Sequence, residues 1–309
     1  MTRVVLNEKY TESGYNCFAM TQKPPAFQRI AVAAHPQVPD ATQAAIEITN
    51  HLNQSGVTAE YSLLYDDSLR ANVLAGKFDL LIALGGDGTM LRAGHICGPS
   101  QVPILGINLG RFGFLIEIPY NQWRECLDQL LAGQFWLEKR MMLIAEQWRD
   151  DIKLGSWDVL NEVVVSRGQI LRPIHLTAQV DGRILTTYVA DALIAATPTG
   201  STAYALAAGG PILPPELRNI LLVAVAPHLS IDRAIVLSEG SSVSIEVKTD
   251  HMAVLSVDGQ FPVELQDGDR VTARSSEHTV QFVRFQDPGY FYRNLTPHMN
   301  QNPSAGNSR

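Results

Sequence analysis

Residues 80–89 read LLIALGGDGT: an apolar run gives way to three glycines around one carboxylate, Asp87, with Thr89 closing the turn. Glycines let backbone come close to a phosphate and leave N–H groups facing it. A helix that starts directly afterwards adds partial positive charge at the same place. A carboxylate within hydrogen-bond reach of a hydroxyl there acts as a general base or orients that hydroxyl as a nucleophile. A plain tight turn, with Asp87 capping the next helix, uses the same five residues equally well. Neither GxxxxGK[ST] nor GxGxxG occurs, and the nearest glycine pattern, GINLGRFG at 106–113, has the wrong spacing. A P-loop and a hydride-transferring Rossmann site are both disfavoured.

A second stretch rich in chemistry is TPTGSTAYALAAGGP at 197–211. Its hydroxyls and backbone N–H groups, at a turn leading into a helix, suit a polyhydroxyl or phosphate ligand. The plainer alternative is a helix capped by Thr199 or Ser201. Asn161 and Glu162 stand side by side at the head of a β-branched run. Strand neighbours point to opposite faces, but at a strand's start or a bulge both reach one ligand; a solvated strand end is the other reading. Asp191 is the single charge within TTYVADALIAAT at 186–197. A buried carboxylate needs partners, so Asp191 is either paired structurally or reads a ligand's amide. The eight histidines show no HExxH or other metal-ligand spacing, and no all-protein metal cage is expected.

Strands and helices must position these residues. RIAVAAH (29–35), AEYSLLY (59–65), FDLLIAL (78–84) and VPILGIN (102–108) read as strands, several apolar on both faces as in a covered parallel sheet. Helical segments alternate with them: 40–56, with Asp40 as N-cap and Gly56 as stop; 89–97; and 121–133, with Trp123, Leu127, Leu130 and Leu131 in helical spacing. This alternation predicts a doubly wound, mostly parallel α/β domain over 27–138. From about 139 to 281 strand follows strand, with Asp181-Gly182 as a hairpin turn, so a β-rich second domain is predicted there. Residues 1–26 read as an extension and 301–309 as a polar, disordered tail.

The chain of 309 residues is long enough to bury a sizeable core. A net charge of -7 argues against general nucleic-acid binding without excluding a local basic pocket. Cys17, Cys97 and Cys126 form no CxxC pair and read as ordinary reduced thiols. The start of the chain lacks an apolar signal core, and the longest strongly apolar run, ILLVAVA at 220–226, is too short to span a bilayer. A soluble, cytoplasmic protein with no membrane partner is expected.

GGDGT at 85–89, NLGRFGFLIE at 108–117, NE at 161–162 and TPTGSTAYALAAGGP at 197–211, in that order, resemble the NAD kinase family. DGQ at 258–260 and YFYRNL at 290–295 also resemble family positions, so the likeness spans nearly all of 28–300. The resemblance implies transfer of the ATP γ-phosphoryl to the 2′-hydroxyl of the adenosine ribose of NAD. It implies an α/β domain plus a β-rich NAD-binding domain, with 282–300 returning to the first. Asp87 would be the catalytic base, with Gly88 beside it. Gly85, Gly86, Gly88 and Thr89 would hold ATP phosphates, while Asp87, Gly88 and Arg92 would contact NAD, Arg92 facing the phosphates from one helical turn along. Asn161 and Glu162 would hold ribose hydroxyls and adenine, and Asp191 the nicotinamide amide. Thr202, Ala203, Tyr204, Ala205, Leu206 and Ala207 would line the dinucleotide pocket, with Arg172 and Gln260 as further contacts.

A divalent cation, Mg²⁺, would ride on the ATP phosphates, and a homodimer or homotetramer is implied. Ala190-Asp191-Ala192 replaces the common GDG, Val189 stands where Arg or Lys is frequent, and PHLSIDRA replaces PHSLSxRP. These departures bear on NAD against NADH preference rather than on the reaction. A lipid or sugar kinase sharing the GGDGT turn, or a non-catalytic dinucleotide sensor, are the competing readings.

Overall fold

The computed structural model describes residues 27–38, 40–110, 113–170, 172–228 and 232–300, the last five of these in backbone only. The predicted extension and tail, Arg111 of NLGRFG and the centre of PHLSIDRA lie outside the described residues.

The first elements are β1 (Arg29–Ala34), α1 (Ala41–Gln54), β2 (Thr58–Leu63), α2 (Asp67–Leu74), β3 (Leu80–Gly85), α3 (Asp87–Cys97), β4 (Ile104–Asn108), β5 (Ile118–Pro119) and α4 (Trp123–Leu131). Strands β2, β1, β3 and β4 lie side by side in that order, all parallel. Alternate strand residues point to opposite faces, and both faces are covered. Leu80, Ile82 and Leu84 pack with α1 and α4, while Leu81 and Ala83 pack with α2 and α3. Two features of the sequence reading differ. Asp40 sits at the N-cap of α1 in the left-handed region (φ 61°) and its carboxylate makes no capping bond. Leu131 is exposed, because only Trp123, Leu127 and Leu130 of α4 face the sheet.

The later elements are β6 (Trp136–Arg149), β7 (Ile152–Val159), β8 (Glu162–Arg167), β9 (Ile174–Val180), β10 (Arg183–Ala190), β11 (Ala192–Ala196), the short α5 (Tyr204–Ala207), β12 (Asn219–Val225), β13 (Ile235–Ser238), β14 (Ser242–Lys248), β15 (Ala253–Val257), β16 (Val263–Leu265), β17 (Arg270–Arg284) and α6 (Tyr290–Asn300). Asp181 and Gly182 both have positive φ, as a two-residue hairpin between β9 and β10 requires. An antiparallel sheet runs β13-β12-β11-β8-β15-β16. It packs on β9, β14 and β17 through Val163, Val165, Leu193, Leu222, Leu176 and Ile245, among others.

The long strand β17 joins the two halves. Its first residues pair with β14, and Phe282 near its end pairs in parallel with Ile104 of β4. Strand β6 accompanies it along both stretches. The expected divisions at 138/139 and 281/282 thus fall inside β6 and β17, in one sheet of eleven strands among the described residues. No helix of the described residues is long and apolar enough to cross a membrane.

Candidate active site

Strand β3 carries the GGDGT turn to the carboxyl edge of the parallel strands, the edge where open α/β sheets bind ligands. The three glycines do different work. A Cβ on Gly85 would lie 2.0 Å from Thr89 Oγ1, so this position must stay bare for Thr89 to turn inward. Thr89 is buried, and its hydroxyl accepts the Gly86 N–H at 3.2 Å. Gly86 and Gly88 have no such neighbour within 4 Å, so their backbone is open to a ligand.

Asp87 opens α3, and its carboxylate is not bare. It accepts the backbone N–H of Phe114 at 2.8 Å and of Leu115 at 3.1 Å. Gly113 makes this possible, since a Cβ there would fall 2.2 Å from Asp87 Oδ1. A carboxylate has about four acceptor positions. The two backbone bonds therefore set its orientation and leave capacity for a substrate hydroxyl.

The loop that grips Asp87 is itself braced from below. Arg284 Nη1 donates to the Leu115 carbonyl at 2.9 Å, and Arg284 Nε to Glu138 at 2.8 Å. Arg140 bonds the same carboxylate at 3.0 Å and reaches Thr199 Oγ1 at 3.1 Å. Tyr290 of α6 completes the buried cluster through its hydroxyl on Glu138. Burial alone raises the Glu138 carboxyl, but the guanidinium groups of Arg140 and Arg284 override it and hold it down at about 2. Glu117 accepts the N–H groups of Phe285 and Gln286, and burial pushes its carboxyl up.

Asp258 organises the other wall. From a left-handed conformation (φ 47°) its buried carboxylate accepts the N–H groups of Leu160, Asn161 and Glu162 at 2.7, 2.7 and 2.9 Å. His95 of α3 reaches it at 2.6 Å through Nε2, while Gln260 Nε2 donates to His95 Nδ1 at 3.0 Å. One aspartate thus ties the NE pair to the helix that begins with Asp87. Glu162 is buried with Oε2 unpartnered; burial, then the neighbouring Asp258 charge, raises its carboxyl to about 8. A cleft of about 590 Å³ opens between α3 and this turn, lined among others by Gly88, Arg92, His95, Gln260 and Phe261.

The hydroxyls of 197–202 turn out to serve the protein itself. Thr197 Oγ1 donates to the Leu160 carbonyl at 2.5 Å and accepts the Gly200 N–H. Ser201 donates to the Pro198 carbonyl and accepts the Leu213 N–H; Thr202 donates to the Thr199 carbonyl. A Cβ on Gly200 would strike the Asn161 carbonyl at 2.1 Å, so the segment is pressed against the NE turn. What it leaves for a ligand is mainly backbone and Tyr204, 43% exposed.

The segment 67–135 matches the family model for the ATP-NAD kinase N-terminal domain, and 160–285 that for the ATP-NAD kinase C-terminal domain. An NAD kinase from Chloroflexus aggregans is 38% identical over 268 residues, 87% of this chain and 97% of that one. The chain belongs to the NAD kinase family. Among solved structures it is similar to yeast NADH kinase complexed with NADH, with a TM-score of 0.80, 26% identity and coverage of 90% and 89% of the two chains. It is also similar to an NAD kinase from Archaeoglobus fulgidus in complex with ATP, with a TM-score of 0.70, 26% identity and coverage of 88% and 99%.

Set against the NAD kinase pattern, the expected residues fall into groups. Gly88, Arg92 and Gln260 line the cleft, with Asp87 and Gly86 in the turn beside Gly88. Asn161 and Glu162 do not line the cleft themselves, but their backbone N–H groups are held by Asp258, which does line it together with His95. Arg92 stacks over Tyr65 at 5.2 Å and keeps a buried Nε without a partner. Ala205 is different: its side chain lies in the core with Leu213 and Val223, leaving only its backbone for a ligand. Asp191 is paired, accepting Arg167 Nε at 2.9 Å. Arg172 is exposed, pairs with Asp250 at 3.4 Å and is not among the cleft residues. Asp258, His95 and Arg284 were missed, and only DGQ hinted at one of them. Among the described residues no group of three or more His, Cys, Asp or Glu is arranged to hold a metal.

Proposed function

We propose that the chain transfers the γ-phosphoryl of ATP to the 2′-hydroxyl of the adenosine ribose of NAD, giving NADP and ADP. The placement of Asp87 carries this assignment: a carboxylate oriented by two backbone N–H groups, at a helix start, between two open glycines and an arginine-lined cleft. Membership of the NAD kinase family supports the reaction, and the ligands named for the yeast and Archaeoglobus proteins support the two substrates.

Phosphoryl transfer asks a protein chiefly for positioning and charge neutralisation. The bare Gly86 and Gly88 backbone and the start of α3 hold phosphate oxygens, and Arg92 offsets their charge. Asp87 accepts the hydrogen bond of the ribose hydroxyl and takes its proton as the O–P bond forms. Asn161 and Glu162 hold the ribose and adenine, with Tyr204 against a ring. The cleft's carboxylates are largely occupied by N–H donors, which fits a divalent cation brought on ATP phosphates and needing few protein ligands. Bound there, it would neutralise charge on the transferring group. A cytoplasmic homodimer or homotetramer is the working form under this reading, to be checked by light scattering.

The test mixes the purified protein with ATP, Mg²⁺ and NAD and reads NADP with an NADP-specific dehydrogenase. Asp87→Asn should keep NAD binding and lower turnover about 10² to 10⁴-fold. Turnover near that of the parent protein would remove Asp87 from the base role.

A further inference from the structure

Phe261 is 99% exposed, an unusual setting for a large aromatic ring. It lies on the rim of the same cleft that contains Gly88 and Arg92. We propose that Phe261 is the stacking platform for the purine of the phosphoryl donor, an inference that rests on the kinase reading above.

The ring sits in the turn between β15 and β16, and that turn is firmly anchored. Gln260 N–H donates to the Val257 carbonyl at 2.9 Å, and Ser256 Oγ to the Gln260 carbonyl at 3.2 Å. Asp258, three residues earlier, is fixed by three backbone N–H groups and His95. The backbone that carries the ring is fixed before a ligand arrives, so only the side-chain torsions of Phe261 remain to be ordered on binding. The cleft's other aromatic, Tyr65, is already engaged: Arg92 lies over its face, and His35 meets its edge at 5.3 Å and its hydroxyl at 3.3 Å. Phe261 makes no ring contact among the described residues.

The cleft therefore offers charge at one part and a flat apolar surface at another. Gly88 backbone and Arg92 suit phosphates, and Phe261 suits a π-face, which together describe a nucleoside polyphosphate. Both substrates carry a purine. Gln260, a contact assigned to the acceptor, also lines this cleft, but Asn161, Glu162 and Tyr204, the groups assigned to the acceptor's ribose and rings, do not, and this favours the donor.

The experiment compares Phe261→Ala and Phe261→Trp with the parent protein by titration calorimetry, using MgATP, inorganic tripolyphosphate and NAD as separate probes. Phe261→Ala should weaken MgATP about tenfold, within the range for one base on one aromatic ring. Tripolyphosphate, which has no base, and NAD should bind unchanged, and Phe261→Trp should restore MgATP. In the coupled assay the effect should fall on the KM for ATP rather than on kcat. Weaker NAD with unchanged MgATP would move the ring to the acceptor and overturn the proposal. So would an equal loss for tripolyphosphate, or no change with any probe. A parent protein that makes no NADP would defeat the kinase reading, yet the MgATP and tripolyphosphate titrations would still decide the stack.

Discussion

A glycine and a carboxylate share one small space at the heart of the site. Gly113 leaves room for the Asp87 carboxylate to reach the N–H groups of Phe114 and Leu115. Gly113→Ala should swing Asp87 away and lower kcat about 10²-fold, the cost of misplacing a reacting group by about 1 Å. Because both changes act through one carboxylate, Gly113→Ala combined with Asp87→Asn should be no slower than Asp87→Asn alone; additive losses would show that Gly113 acts elsewhere. Glu162 gives a pH prediction. Its folded value of about 8 lies above the unfolded value of about 4.3, so between these limits the folded chain binds more protons than the unfolded one. Its contribution to stability is present below the lower limit and is lost as pH rises towards 8. Glu162→Gln should gain in Tm relative to the parent protein as pH is raised from 6 to 9, and a relative fall over that range would contradict the buried carboxyl. The five residues of the turn alone suited a plain capped turn equally well, and Asp87 stood out only once GGDGT was joined to the NE and TPTGSTAY motifs. The grip on it was not legible, since the donors are backbone groups 27 and 28 residues away.

Between elements, the decisive link is the one from the β15–β16 turn to the start of β8 and the flank of α3. Asp258 makes that link with one side chain, so its loss strands three backbone N–H groups at once. Asp258→Ala should cost about 4 kcal/mol in urea unfolding, several times the effect of His95→Ala, which removes one of the four donors. An equal cost for the two variants would mean that the histidine, not the amides, holds the elements together. The alternation of apolar strands and helices made the parallel sheet readable, and closely spaced strand patterns did the same for the β-rich half. The 197–202 hydroxyls misled, because Ser and Thr readily bond their own neighbouring backbone. Nothing in a local pattern separates that use from ligand binding. DGQ at 258–260 was noted as a motif, but the linking role of Asp258 was not readable for the opposite reason: the amides it holds are nearly a hundred residues away.

Across the whole molecule, the buried cluster of Glu138, Arg140 and Arg284 connects the Asp87 loop, the 197–202 segment and α6. Glu138→Gln would leave two buried guanidinium groups with a weakened partner. It should destabilise the protein by about 3 to 5 kcal/mol and lower turnover as well, since the same cluster supports the loop on Asp87. Normal turnover in a destabilised variant would separate the cluster from the site. Strand β17 makes a second large-scale prediction, because its hydrogen bonds run from β14 at one end to β4 at the other. Heat or urea should unfold both halves in one transition, with far-UV circular dichroism and tryptophan fluorescence coinciding. Two separated transitions would show that the shared strand does not couple them.

The same strand has a consequence for how the protein is made. Strands β1 to β4 are made well before β17, yet the neighbour of Ile104 is Phe282. Until Phe282 has been made, the amino-terminal end of β4 is an unpaired apolar edge, open to wrong partners. The sheet that carries the GGDGT turn is therefore closed only after β17 has been made. Nascent chains halted before Arg270 should stay sensitive to protease and dependent on chaperones, whereas chains released beyond Arg284 should become resistant.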